Sequence, residues 1–199
     1  RGGYCFEQNT LLAAVLERVG FTVTRLAARV RYYSTRVLPR LHMVLQVEAE
    51  GQSWLADAGF GGCGLLEAIP LSEHAEVLQD VWRFRMRREN GLWVLQTFRQ
   101  GDWADQYIIS PEPQLPVDYE VVNHYCSTHP DSRFIQTLTA QRPARNFRHI
   151  LKNRELTTIR PDSEETRVIE SEEALLEILE KYFDLRLPAG TRFRPTIIV

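Results

Sequence analysis

The chain has 199 residues, 44% hydrophobic and 25% charged, with a formal net charge of -2. That length supports one substantial core or two small ones, and the charge offers no electrostatic case for nucleic acid or an anionic membrane as partner. No apolar run approaches the roughly 18 residues of a spanning helix. Three widely spaced cysteines, Cys5, Cys63 and Cys126, form neither a disulfide framework nor a CxxC metal site and suit a reducing cytoplasm.

Residues 6–19 read as a helix: Leu11, Leu12, Val15, Leu16 and Val19 recur at helical spacing and Gly20 follows. Gly2 and Gly3 precede it, placing Cys5 at the first helical turn. Phe21 to Val30, rich in β-branched and apolar residues, reads as a strand. Leu41, Met43, Leu45 and Val47 then alternate with His42, Val44, Gln46 and Glu48, and Ser53 to Ala58 resumes an extended run after Glu50-Gly51, a two-residue hairpin turn. A hairpin with an even loop pairs residues whose numbers sum to an odd value. His42 and Asp57 meet that condition, so such a register puts both on one face, opposite or diagonal to each other. An odd-length loop or a bulge would undo it.

Trp82, Phe84 and Met86 alternate with Arg83, Arg85 and Arg87, Asn90-Gly91 is a strong hairpin signal, and Leu92 to Phe98 is the return strand. The arginines read as one solvated face. Residues 103–109 add a third strand, and Pro111, Pro113 and Pro116 punctuate a linker. A helix is expected from Asp118 to Tyr125, and strands over Arg133–Ala140, Phe147–Leu151 and Leu156–Arg160. Ser171, ahead of Glu172 and Glu173, opens a C-terminal helix with Leu175, Leu176, Ile178, Leu179 and Phe183 as its apolar face. The order points to an α+β protein rather than alternating βαβ units.

Cys5, His42 and Asp57 together could make a nucleophile. A helix N-terminus and an imidazolium both stabilise a thiolate, His42 can hold the proton, and Asp57 can accept a hydrogen bond from the other ring nitrogen. Each residue also has a plain reading: a buried thiol, an ordinary strand histidine, an aspartate opening a turn. The stretch Gly59-Phe60-Gly61-Gly62-Cys63-Gly64 could let backbone approach a phosphate, or could be a loop or bulge. Cys63 and Cys126 are taken as structural. His124 and His129 flank Cys126, but no ligand cluster asks for a metal, and none is expected.

At these residues the sequence resembles the arylamine N-acetyltransferase family. Arg1-Gly2-Gly3-Tyr4-Cys5-Phe6-Glu7-Gln8-Asn9 is similar to its nucleophile motif RGGxCxE(Q/L)N, and Asp57-Ala58-Gly59-Phe60-Gly61 to its DVGFG motif, with Ala58 where valine is usual. His42 opens a strand as the family histidine does, and Ser127 to Phe134 resembles a segment of bacterial members. The resemblance implies a cysteine-protease/transglutaminase-like architecture: a helical part bearing the nucleophile (1–20), an antiparallel β-barrel (21–115) and an α/β lid (116–199). About 60 residues of the helical part expected ahead of Arg1 are not in this sequence, which would expose apolar faces of the Leu11–Val19 helix.

By the same resemblance, acetyl-CoA is the acyl donor, without a metal. Aromatic amines, hydrazines or N-hydroxyarylamines are the acceptors, and the setting is cytoplasmic, in detoxification or a biosynthetic step. Cys5 would be nucleophile, His42 base and acid, Asp57 orienter. Phe60 would line the acceptor pocket, Gly61 would lie near the coenzyme, and Arg1 and Glu7 would be structural ion-pair members. The same triad would also serve an amide synthase releasing or cyclising a biosynthetic acyl chain, or a cysteine hydrolase. An inactive binding domain is the non-enzymatic alternative.

Overall fold

The computed structural model describes residues 2–32, 34, 36–73, 76–188 and 190–193. Helix α1 (Cys5–Arg18) leads into strands β1 (Thr22–Val30), β2 (His42–Ala49), β3 (Gln52–Ala56) and β4 (Ile69–Pro70), then β5 (Glu76–Gln79), β6 (Trp82–Glu89), β7 (Leu92–Arg99) and β8 (Asp102–Pro113). Helices α2 (Pro116–Thr128) and α3 (Arg133–Gln136) follow. Strands β9 (Thr139–Pro143), β10 (Arg148–Lys152), β11 (Glu155–Arg160) and β12 (Ser163–Val168) and helix α4 (Glu172–Phe183) complete the described elements.

The first eight strands form one antiparallel sheet in the order β4-β3-β2-β1-β8-β7-β6-β5. It curls into a nearly closed barrel because one face is apolar along every long strand. Leu26, Val44, Leu55, Phe84, Leu95 and Tyr107, from six different strands, are buried in a shared cluster. Each such side chain contributes roughly 1.5–3 kcal/mol of burial. Gln79 bridges the remaining gap: its Oε1 accepts from the backbone N–H of Leu66 at 2.7 Å, and its Nε2 donates to the Glu67 carbonyl. The arginines alternating with Phe84 and Met86 lie on the outer side, where Arg85 stacks over Trp103 and Arg87 pairs with Glu89 and Asp105.

The opposite face of β2 carries Met43, Leu45 and Val47, which pack with Phe6 and Ala13 of α1. Leu12 and Leu16 flank this contact, whereas Leu11, Val15 and Val19 are exposed, so only part of the predicted apolar stripe is buried. Those three sit four residues apart on a row that turns away from the sheet.

The four later strands form a second antiparallel sheet, β12-β11-β10-β9. One of its faces packs Leu151 and Leu156 under Leu175, Ile178 and Leu179 of α4. The other carries Gln141, Arg148 and Ile150 toward the barrel, where they meet the glycine-rich stretch.

Two expectations are corrected. Pro111 and Pro113 belong to β8 rather than a linker, because their residues sit at the strand's end, where β1 pairs Leu26 with Pro113 and the Gln114 N–H continues to the Arg25 carbonyl. A missing N–H costs little there. Arg133–Ala140 is not one strand. Ser132 caps a short helix over Arg133–Gln136, its Oγ accepting from the Phe134 N–H and donating to the Cys126 carbonyl, and β9 begins only at Thr139. Local capping overrides the β-branched and aromatic content of that segment.

Candidate active site

The β2–β3 turn sets the geometry. Glu50 and Gly51 both have positive φ, 54° and 76°, which gives the two-residue hairpin and pairs Leu45 with Ala56 and Val47 with Trp54. In this register Asp57 lies beyond the end of β3, diagonal to His42 and on the same inward face. The imidazole and carboxylate bridge that diagonal: His42 Nε2 is 2.7 Å from Asp57 Oδ2. Both side chains are buried, 5% and 0% exposed.

Asp57 is held by four donors. Oδ1 accepts from the Asn9 amide and the Gly59 backbone N–H, each at 2.9 Å, and Oδ2 accepts from His42 and from the Tyr107 hydroxyl at 2.9 Å. Burial by itself would raise the carboxyl's pKa, but the His42 charge and these hydrogen bonds more than offset it and hold it below the usual range. Tyr107, on β8, is buried, and its phenol is driven well above its ordinary value by burial and then by Asp57. Asn9, in the second turn of α1, is buried and ties three segments together. Its Nδ2 donates to the Met43 carbonyl at 2.7 Å as well as to Asp57, while its Oδ1 accepts from the Ala58 N–H.

Cys5 is the first residue of α1, 4% exposed, with its sulfur 3.7 Å from the Leu41 carbonyl and near enough to His42 to add to the upward shift of the imidazole. Nε2 of His42 faces Asp57, which leaves Nδ1 as the ring nitrogen that the carboxylate does not engage. The helix start is fixed by Glu7, whose carboxylate accepts from the Tyr4 N–H at 3.0 Å, and by the Tyr4 ring stacked on Phe134. Glu7 is thus a capping residue, while its expected partner Arg1 lies outside the described residues. Desolvation opposes protonation of His42, but Asp57's charge and hydrogen bond, with a smaller contribution from Cys5, outweigh it and push the imidazole up to about 10.

That shift has a sign. A group whose folded pKa is raised stabilises the fold fully below its unfolded value, here 6.5, and the contribution fades as pH climbs to about 10. Asp57, lowered on folding, acts on the acid side, losing its contribution as pH falls through the acid range. Urea midpoints measured across the alkaline window should decline steadily for the wild type and much less for Asp57→Asn. Equal slopes in the two proteins would contradict the pairing.

Gly59 explains how the β3 exit comes this close to Cys5. A Cβ there would stand 2.5 Å from Cys5 Cα and 2.9 Å from Cys5 Cβ, and backbone cannot yield as a flexible side chain would. Gly59→Ala is expected to cost about 1–3 kcal/mol of stability. It should also slow any reaction at Cys5 by roughly 100-fold through displacement of the sulfur. A urea midpoint and an alkylation rate at Cys5, both unchanged, would refute this.

Of the remaining predicted residues, Phe60 has its ring centroid 5.3 Å from His42 and 5.1 Å from Tyr107, so it borders the His42–Asp57 pair. The glycine-rich stretch is a pinned loop. Its Gly59, Gly62 and Gly64 N–H groups are spent on Asp57, Gln141 and the Gly61 carbonyl, which leaves none of the three to cradle a phosphate. Cys126 lies in the same buried cluster as Cys5, its thiol pushed up to about 11 by burial and then by Cys5. No group of three His, Cys, Asp or Glu side chains among the described residues is arranged to hold a metal ion.

A family model described as N-acetyltransferase matches residues 1–192. The arylamine N-acetyltransferase of Mycolicibacterium smegmatis is 35% identical over 193 residues, an alignment covering 94% of this chain and 70% of that protein. This chain belongs to the arylamine N-acetyltransferase family. The Escherichia coli arylamine N-acetyltransferase is 37% identical over 67% of this chain, a match that spans 48% of its own length. The structure of the Mycobacterium marinum arylamine N-acetyltransferase in complex with CoA superposes with a TM-score of 0.87 at 30% identity, over 92% of this chain and 70% of that one. As a family member the chain shows the α+β architecture that its motifs implied: a barrel-like antiparallel sheet, a second sheet under α4, and few helices.

Sequence reasoning missed Tyr107 and gave Asn9 no role beyond its place in the motif. Tyr107 sits at an alternating position of an expected strand, so its inward face was legible. Its partner, 50 residues away, was not.

Proposed function

We propose that this chain transfers an acetyl group from acetyl-CoA to the nitrogen of an arylamine or hydrazine, or the oxygen of an N-hydroxyarylamine, through an acetyl-Cys5 thioester. The observation that carries this reading is the buried series Cys5–His42–Asp57, with a thiol at a helix start on one side of the imidazole and a four-donor carboxylate on the other. Family membership supplies the donor and acceptor classes.

In the first half-reaction the Cys5 thiolate attacks the acetyl carbonyl carbon of acetyl-CoA. The carbon–sulfur bond to coenzyme A breaks, and the departing thiolate takes the proton from His42. One thioester replaces another at little net free energy. In the second half-reaction the acceptor nitrogen attacks the acetyl-Cys5 carbonyl, His42 takes the nitrogen's proton, and Cys5 leaves as the thiolate. Asp57 keeps the Nε2–H tautomer throughout, so the nitrogen facing Cys5 is the one that exchanges protons. Phe60, an aromatic wall beside His42, lines the acceptor pocket, and Gly61 lies near the coenzyme. Residues 1–20 carry the nucleophile, 21–115 the base and its orienter, and 116–199 the cover over the glycine-rich loop. Three unpaired cysteines suit a reducing cytoplasm, and no described helix is long and apolar enough to cross a membrane.

The test is an intact-mass measurement after mixing with acetyl-CoA alone, then chasing with an aromatic amine. One acetyl group mapping to Cys5 and lost on the chase is expected. A folded chain that stays unmodified, or one acetylated only on lysines, would overturn the reading.

A further inference from the structure

Arg148, on β10, is 2% exposed, yet no carboxylate among the described residues pairs with it. Its Nη1 donates to the carbonyls of Gly62 and Gly64, and its guanidinium stacks 4.2 Å over the Trp82 ring. Its Nη2 has no hydrogen-bond partner among the described residues. Burial pulls its pKa down to about 10, the mark of a cation without a counter-charge. Such a group is costly to leave in place unless something negative joins it.

Arg148 lines a cavity of about 400 Å³ between the rim of the barrel and the inward face of the second sheet. Arg83, Arg99 and Arg160 line it too, against two carboxylates, Asp162 and Glu164, the second already paired with Arg99. Cys5, His42 and Asp57 do not line it. Arg83 is already paired with Glu76 and Arg99 with Glu164, which leaves Arg148 and Arg160 facing Asp162 and a formal positive excess that an anion would match. Guanidinium forks pair with phosphate oxygens in a fixed geometry. The cavity is larger than a phosphate group, and Trp82 and Phe98 in its wall suit an organic body attached to it.

We propose that this cavity is a binding site for a phosphate monoester, with Arg148 Nη2 as its buried donor and the exposed Arg160 as a second. The ligand reaches the far edge of the same guanidinium that clamps the glycine-rich loop, so its arrival bears on the loop carrying Phe60.

The probe is inorganic phosphate, titrated calorimetrically into the unacylated wild-type chain, a readout independent of acetyl transfer. Saturable binding at one site is expected, weakened roughly tenfold or more by Arg148→Met. Since Arg148→Met also removes the loop clamp and could unfold the chain, Arg160→Ala provides the second test and should weaken binding in the same direction. No saturable heat with the wild type, or unchanged affinity in Arg160→Ala, would overturn the proposal. Competition then identifies the source of the phosphate. Displacement by CoA but not by 3′-dephospho-CoA assigns the site to the coenzyme's own ribose phosphate. Persistence of bound phosphate with both assigns it to a separate phosphomonoester, and the site stands in either case.

Discussion

Cys5→Ser is expected to lower acetyl transfer by about a million-fold, the scale of losing a nucleophile in an enzyme whose residues act as one unit. The change is nearly isosteric, and every contact that fixes its position survives it: the Tyr4–Glu7 cap, the Tyr4–Phe134 stack and the close approach of Gly59. What changes is the atom that must be ionised. An imidazole can take the proton of a thiol before the substrate arrives, but a hydroxyl holds its proton too tightly for a resting ion pair. The serine variant should therefore unfold at nearly the wild-type urea concentration while gaining no acetyl group from acetyl-CoA. Turnover within tenfold of wild type, measured by release of free coenzyme A, would remove Cys5 from the mechanism.

Asp57→Asn should reduce turnover by about four orders of magnitude, for a different reason. The carboxylate accepts from four donors and offers none. An amide must turn its NH₂ toward two of them. If the NH₂ faces Asn9 and Gly59, it confronts two N–H donors in a buried site, at a cost of about 1–3 kcal/mol. If it faces His42 and Tyr107, the imidazole must present a lone pair at Nε2, which moves the ring proton to the nitrogen facing Cys5. That nitrogen can then no longer accept the thiol's proton. Either orientation damages the site, so the variant should lose activity and some stability together. Nitrogen chemical shifts of His42 would separate the two orientations. A variant with wild-type kinetics and an unmoved tautomer would show that Asp57 does not orient the base.

Much of this site was legible before any tertiary structure. The turn at Glu50-Gly51 and the alternation around His42 placed His42 and Asp57 on one face, because a two-residue loop fixes parity whatever else the chain does. Gly2-Gly3 ahead of an apolar helical run placed Cys5 at a helix start. The same local logic failed at Arg133–Ala140, where a serine cap six residues past a buried cysteine outweighed strand propensity. It failed also at Pro111 and Pro113, where a strand tolerated prolines at its end.

Local features were readable from the residues alone: which of them share a face, where helices begin, and which motif members belong together. The tertiary structure decided the long-range meetings. Pairing β1 with both β2 and β8 brings Tyr107 behind Asp57, and packing α1 on β2 lets Asn9 reach Met43, Asp57 and Ala58 at once. Docking the second sheet puts Arg148 on the glycine-rich loop, 84 residues from the Gly64 carbonyl it holds. Periodicity and turn chemistry act over a few residues, so they specify faces. Partners so distant in sequence are chosen by which apolar faces bury one another, and that choice belongs to the folded chain as a whole.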